Sequence, residues 1–182
     1  MLLATEKHIK VRDKNFKPFI KEEVIMARIK ELALEVETDF KHKNPVFMIV
    51  LTGSFMFASD FLKCINFPCE ISFMRAKSYK GTESTGEVEL IFTHSHDLKK
   101  GREVVIIEDI VDSGVTINVI NAYFKEKKCK PTTVALLWKP MKSDYVPEYY
   151  AFKSPDNFIV GYGLDYNEEG RNLKHLYTED KI

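Results

Sequence analysis

The 182-residue chain is poor in the features that mark several common protein classes. It has only three cysteines, Cys64, Cys69 and Cys129. They are odd in number, form no C-x-x-C and sit within or beside apolar segments, so buried thiols are the expectation, with a zinc site the alternative. No apolar run approaches the ~20 residues needed to span a bilayer, so no membrane association is expected. The start, Met1-Leu2-Leu3-Ala4-Thr5-Glu6, meets acid and base too soon for a signal peptide, and a cytoplasmic location is expected. Neither sign of charge is in excess: Lys and Arg number 27, as do Asp and Glu. A non-specific nucleic-acid binder would carry a basic surplus, so binding through bulk charge is disfavoured. Low-complexity linkers and internal repeats are absent and the seven prolines are scattered, which argues for one domain over residues 1–182.

What the chain does have is a repeated grammar of apolar strand, turn and helix. Residues 21–38 carry Ile25, Ile29, Leu32 and Val36 at helical spacing with charges between them, the pattern of an amphipathic helix. Pro45 opens the continuous run Val46 to Leu51, which ends at Thr52-Gly53-Ser54 and passes into a helix from about Phe55 to Cys64. Glu103 to Ile107 leads to Asp112-Ser113-Gly114 and a helix to about Lys125. Thr132 to Trp138 is another apolar strand, and Phe158-Ile159-Val160 makes a further such run. Strands buried on both faces and alternating with helices call for a mainly parallel sheet in an α/β domain. Glu70 to Arg75 and Glu87 to Thr93 are shorter strand candidates, joined by a long polar stretch from Ser78 to Gly86 that suits a lid.

In open α/β sheets ligands bind beyond the carboxyl ends of the strands. There the chain places Glu108-Asp109-Ile110-Val111-Asp112-Ser113-Gly114-Val115-Thr116. Ser113, Gly114 and Thr116 suit an anion cradle at a helix N-terminus, where backbone N–H groups converge and the hydroxyls donate. Glu108 and Asp109 are acceptor-only groups suited to the paired hydroxyls of a ribose or to a divalent cation. Ribose 5-phosphate would satisfy the whole stretch. The competing reading, an acidic surface turn with Ser113 as helix N-cap, requires no such order of residues. A P-loop is absent, and the dinucleotide pattern begun by Gly161-Tyr162-Gly163 fails at Tyr166.

Val104 to Thr116 resembles the phosphoribosyl-diphosphate signature of the type I phosphoribosyltransferase family. Leu51 to Phe57, Ser78-Tyr79 with Ser84-Thr85-Gly86, Leu137-Trp138-Lys139, and Phe158 to Glu168 with Arg171 resemble, in order, the motifs of its hypoxanthine-guanine branch. The resemblance implies a central mainly parallel sheet flanked by helices, with a small hood and a flexible lid loop at Ser78 and Tyr79. It implies that Asp112 is the catalytic base and that Glu108, Asp109, Asp112, Ser113, Gly114, Val115 and Thr116 hold ribose 5-phosphate. Thr52, Gly53, Ser54 and Arg171 would bind pyrophosphate. Lys139, Phe158, Ile159 and Asp165 would bind the purine, Asp165 also reaching a metal.

The implied reaction moves the phosphoribosyl group of 5-phosphoribosyl 1-diphosphate to hypoxanthine or guanine, in purine salvage. Mg²⁺ is the implied cofactor, on Glu108, Asp109 and Asp165, since three carboxylates around a polyanion would otherwise repel it. A homodimer or homotetramer is implied, and no nucleic-acid partner. Many relatives have Lys or Asn in place of Thr52, and Lys is common in place of Val115, so this chain offers fewer cations to phosphate. The rival reading is a regulator that keeps the fold to sense phosphoribosyl diphosphate while binding nucleic acid. His94-Ser95-His96 could place two imidazoles on one face, but no third ligand lies near.

Overall fold

The computed structural model describes residues 8–78, 88–93 and 98–180. Its centre is a six-stranded sheet. Three strands, β3 (Val46–Leu51), β6 (Glu103–Val111) and β7 (Lys130–Trp138), form its middle and pair in parallel. They are the apolar runs of the sequence, and their alternate side chains enter two separate cores. Phe47, Ile49, Val105, Ile107, Val134 and Leu136 meet helices α1 (Glu22–Phe40) and α2 (Phe55–Lys63) on one face. Met48, Val50, Val104, Ile106 and Ala135 meet α3 (Val115–Glu126) on the other. This two-sided burial is why the strands read as continuous rather than alternating hydrophobics.

On one side the sheet continues through β4 (Glu70–Ser78), parallel to β3, to β5 (Val88–Phe92), which closes that edge antiparallel. On the other side β8 (Tyr149–Lys153) extends the sheet in parallel beside β7. A second sheet of four antiparallel strands, in the order β1 (Ile9–Val11), β2 (Lys14–Ile20), β10 (Leu176–Glu179) and β9 (Ile159–Val160), forms the hood. No helix among the described residues is long and apolar enough to cross a membrane.

Three expectations need correction. Phe158-Ile159-Val160 does not enter the parallel sheet: Ile159 and Val160 pair antiparallel with Thr178 and Tyr177 in the hood. β6 does not stop at Ile107. Its β3 edge pairs only to Ile107, while its β7 edge pairs on to Val111. The site acids therefore stand on a strand whose free edge opens toward the turn at residues 52–54. Of the thiols, only Cys129 is buried; Cys64 and Cys69 are partly exposed, because they flank the short segment leaving α2.

Candidate active site

That divergence of β3 from β6 creates a cavity of about 300 Å³ lined by Thr52, Gly53, Glu108, Asp109, Asp112, Ser113, Gly114, Thr116 and Arg171. The turn after β3 is drawn tight against β6. A Cβ on Gly53 would stand 1.6 Å from Asp109 Oδ2, so only glycine allows the approach. The Leu51–Thr52 peptide bond is cis. Ser54 is fully buried, its hydroxyl donates to the Val50 carbonyl, and it is not among the residues lining the cavity.

At the other wall α3 begins. Gly114, not Ser113, is its N-cap, with φ of 82°, and a Cβ there would meet Ser143 Oγ at 2.8 Å. The first N–H groups of a helix have no partner within it, so the turn before Thr116 presents donors and the positive end of the helix dipole to the cavity. The Val115 side chain is half exposed and is not among the residues lining the cavity.

The two acids of β6 carry an unusual electrostatic burden. Glu108 is buried; its Oε1 accepts the Asp109 N–H at 3.3 Å, and its Oε2 has no partner among the described residues. Burial, and then the adjacent Asp109 charge, hold the Glu108 carboxyl well above the usual carboxylate range. Burial raises Asp109 too, opposed by hydrogen bonding with Glu108 and by the Ile110 N–H, which Oδ1 accepts at 2.8 Å. A buried carboxylate oxygen without a donor, at the wall of a cavity, is what a hydroxyl or a hard divalent cation fits.

A second cavity of about 160 Å³ shares Asp109, Ile110 and Asp112 with the first and adds Lys139, Phe158, Ile159, Leu164 and Asp165. Lys139 directly follows β7 and is almost wholly buried, with Nζ 3.4 Å from Asp112 Oδ2. Lys142 Nζ lies 3.7 Å from Asp112 Oδ1. Phe158 remains 40% exposed, so its ring is a cavity wall rather than core. It meets Tyr166 edge-on, with centroids 5.6 Å apart.

Asp165 is engaged within the protein. Its Oδ1 pairs with Arg171 Nη2 at 2.8 Å and its Oδ2 accepts the Glu168 N–H at 2.8 Å. Arg171 also donates to the Gly163 carbonyl and to Glu168 Oε2. The expected metal trio is therefore not assembled: Glu108 lines one cavity and Asp165 the other, and Asp109 alone of the three lines both. Among the described residues no three His, Cys, Asp or Glu side chains converge.

Of the remaining sequence candidates, Tyr79, His94 and His96 lie outside the described residues, and Ser78 is described only as the last backbone position of β4. Lys142 was missed. Its signal was a second lysine three residues after Lys139, readable only once Asp112 is known to stand between them. Ser143 and Tyr145 were missed too. Ser143 Oγ bonds both the N–H and the carbonyl of Tyr145, and Tyr145 OH lies 2.7 Å from Thr133 Oγ1. This clips the segment carrying Lys142 to β7.

The family model described as phosphoribosyl transferase domain matches residues 20–167. The hypoxanthine-guanine phosphoribosyltransferase of Aquifex aeolicus is 37% identical over 172 residues, 92% of this chain and 96% of that protein. The enzyme of the same name from Bacillus subtilis is 39% identical over 164 residues, 88% of this chain and 91% of that one. A crystal structure of a Bacillus anthracis hypoxanthine-guanine phosphoribosyltransferase, with HEPES in its active site, superposes with a TM-score of 0.82 at 38% identity. That match covers 89% of this chain and 97% of the other.

Proposed function

This chain belongs to the phosphoribosyl transferase domain family, and on that premise we propose that its two joined cavities transfer the phosphoribosyl group of 5-phosphoribosyl 1-diphosphate to hypoxanthine or guanine. The products are IMP or GMP and diphosphate, and the role is purine salvage. The observation that carries this reading is the Asp112–Lys139 ion pair, which stands where the two cavities share a wall. One cavity has the hydroxyl and phosphate chemistry of a ribose 5-phosphate. The other has a half-exposed aromatic face and a buried ammonium.

In this reading Ser113, Gly114, Val115 and Thr116 hold the 5-phosphate through backbone N–H groups and hydroxyls, while Glu108 and Asp109 accept the ribose hydroxyls. Thr52, Gly53 and Ser54 take the pyrophosphate through their backbone, with Arg171 as its fixed cation. Phe158 stacks on the purine, the Ile159 backbone meets the base edge, and Lys139 Nζ donates to the 6-oxo group. When Lys139 turns to that oxygen, Asp112 is released to accept the proton from purine N7 as the anomeric carbon becomes oxocarbenium-like. Ser78 and Tyr79 serve as the lid that excludes competing water.

Mg²⁺, when bound, supplies charge neutralisation for the pyrophosphate; Glu108, Asp109 and, once Arg171 turns to the substrate, Asp165 offer hard oxygens for it. The chain works in the cytoplasm as one domain. It assembles as a homodimer or homotetramer, for which the exposed Ile71, Phe73 and Ile91 on the β4–β5 face offer apolar surface. A nucleic-acid-binding regulator of the same fold is not supported, since the relatives named above are enzymes.

The test is base selectivity. An ammonium has donors only, so Lys139 pairs with a 6-oxo group and confronts the amino group of adenine with a buried, unpaired charge. A site of that kind discriminates by ~10⁴ or more. Lys139→Gln, which can present an acceptor, should lower kcat/KM for hypoxanthine and narrow its advantage over adenine. An unaltered ratio contradicts the assignment of Lys139.

A further inference from the structure

The two halves of the site stand on different parts of the molecule: the pyrophosphate turn precedes α2 of the main sheet, and the purine tail hangs from the hood. They approach each other most closely at Gly163. Gly163, with φ of 101°, lies so close to the turn that a Cβ on it would stand 2.0 Å from the Gly53 carbonyl oxygen. Its own N–H donates to the Arg171 carbonyl at 2.9 Å, and its carbonyl accepts from Arg171 Nη1 at 3.1 Å. One residue earlier, Tyr162 adopts φ of 49°, a left-handed conformation uncommon for a bulky side chain. It is 2% exposed, and its hydroxyl donates to Asp60 Oδ2 at 2.6 Å. Asp60 sits on α2, the helix that continues directly from the turn, and its Oδ1 is held by Lys63 at 2.9 Å.

A bulky residue in a left-handed conformation persists only where the surroundings hold it there. Here the Tyr162 N–H donates to the Leu173 carbonyl at 2.7 Å, and the phenol bond ties its side chain to α2. Burial and the Asp60 carboxylate push the Tyr162 phenol well up, so it remains a donor throughout the physiological range. Resting on the function proposed above, we infer that Tyr162, through Asp60, is a positioning residue. It holds the purine tail and the pyrophosphate turn in one register, so that filling either half raises the affinity of the other. Neither side chain lines either cavity, so the effect passes through backbone. Gly163 presses on Gly53, and Asp165 and Arg171 follow in the same tail.

The experiment measures coupling between ligands. Phosphoribosyl diphosphate with Mg²⁺ is titrated calorimetrically into the full chain, with and without 9-deazahypoxanthine, whose carbon at ring position 9 cannot take the phosphoribosyl group by the ordinary reaction. The purine analogue should tighten phosphoribosyl diphosphate binding in the wild type. In Tyr162→Phe, which keeps the ring and its packing, that factor should shrink by about tenfold, the scale of one hydrogen bond to a charged group. Binding without the analogue should change by less than about threefold.

Asp60→Asn retains an acceptor for the phenol and should keep the factor. It also loses the Lys63 pair, but Lys63 is largely exposed and that loss is small. Asp60→Ala should match Tyr162→Phe, and the double variant should be no worse than either. An unchanged factor in Tyr162→Phe, or multiplicative losses in the double variant, overturns the inference while leaving the function intact. A wild type that binds neither ligand overturns the function and the inference together.

Discussion

Replacing Glu108 with Gln separates stability from function at one atom. Glu108 is buried, its Oε2 has no partner among the described residues, and Asp109 adds a like charge beside it. In the free protein the carboxylate is therefore a cost. Leaving a buried polar group unsatisfied costs ~1 to 3 kcal/mol. The amide keeps the volume, removes the charge and gives Asp109 a donor. The variant should be more stable near neutral pH, by ~1 to 2 kcal/mol, or ~2 to 8 °C in Tm for a domain of this size.

The sign with pH follows from proton binding. Because Glu108 is held above its unfolded pKa, the folded state binds more protons than the unfolded state between the two values. Wild-type stability then falls as pH rises through that window and stays lowered above it. Glu108→Gln should flatten this fall, so its advantage shrinks at pH below the unfolded carboxylate range. It should also lose the Tm increase that phosphoribosyl diphosphate with Mg²⁺ gives the wild type, because the ribose hydroxyls lose an acceptor. Differential scanning calorimetry from pH 4 to 8, with and without the ligand, reads both effects. A variant less stable than wild type at pH 7.5, or an advantage that does not change with pH, refutes the reasoning.

Asp112→Asn keeps the shape but removes the base, so turnover with hypoxanthine should fall ~10² to 10⁴-fold while phosphoribosyl diphosphate binding changes less; steady-state rates beside a binding titration decide it. Chelation with EDTA should abolish turnover and Mg²⁺ should restore it, whereas full activity after rigorous chelation would remove the proposed cofactor. Asp165→Asn should weaken pyrophosphate and Mg²⁺ binding while leaving the Ser113–Thr116 cradle intact, so binding of a ribose 5-phosphate without pyrophosphate should be preserved.

How far the sequence could be read depended on whether a signal was local. Val46–Leu51 and Val104–Ile107 are buried on both faces, and continuous apolar runs announce such strands directly. The site acids were legible for a related reason: carboxylates so close to a buried strand stand out against it. A hood was implied by the resemblance, but its strands were not legible from local pattern. Its β9 has two residues, and Lys14–Ile20 is rich in lysine and contains Pro18, so pairing with the distant Leu176–Glu179 decides the structure rather than any local pattern. Tyr149–Lys153 was missed as well, an edge strand with little buried surface of its own. Glu108 and Asp109 were placed at the sheet, but the pairing of Asp165 with Arg171 depends on how the tail folds back after Gly163, which no spacing rule encodes.

The central claim is that one site joins a ribose 5-phosphate to a 6-oxopurine. Its most direct test is to incubate the protein with phosphoribosyl diphosphate, Mg²⁺ and one free base at a time, and to quantify nucleotide and diphosphate by chromatography. Hypoxanthine or guanine should be converted to IMP or GMP with one diphosphate released per nucleotide, and adenine should yield at most traces of AMP. Diphosphate release without nucleotide, or a clear preference for adenine, would contradict the account.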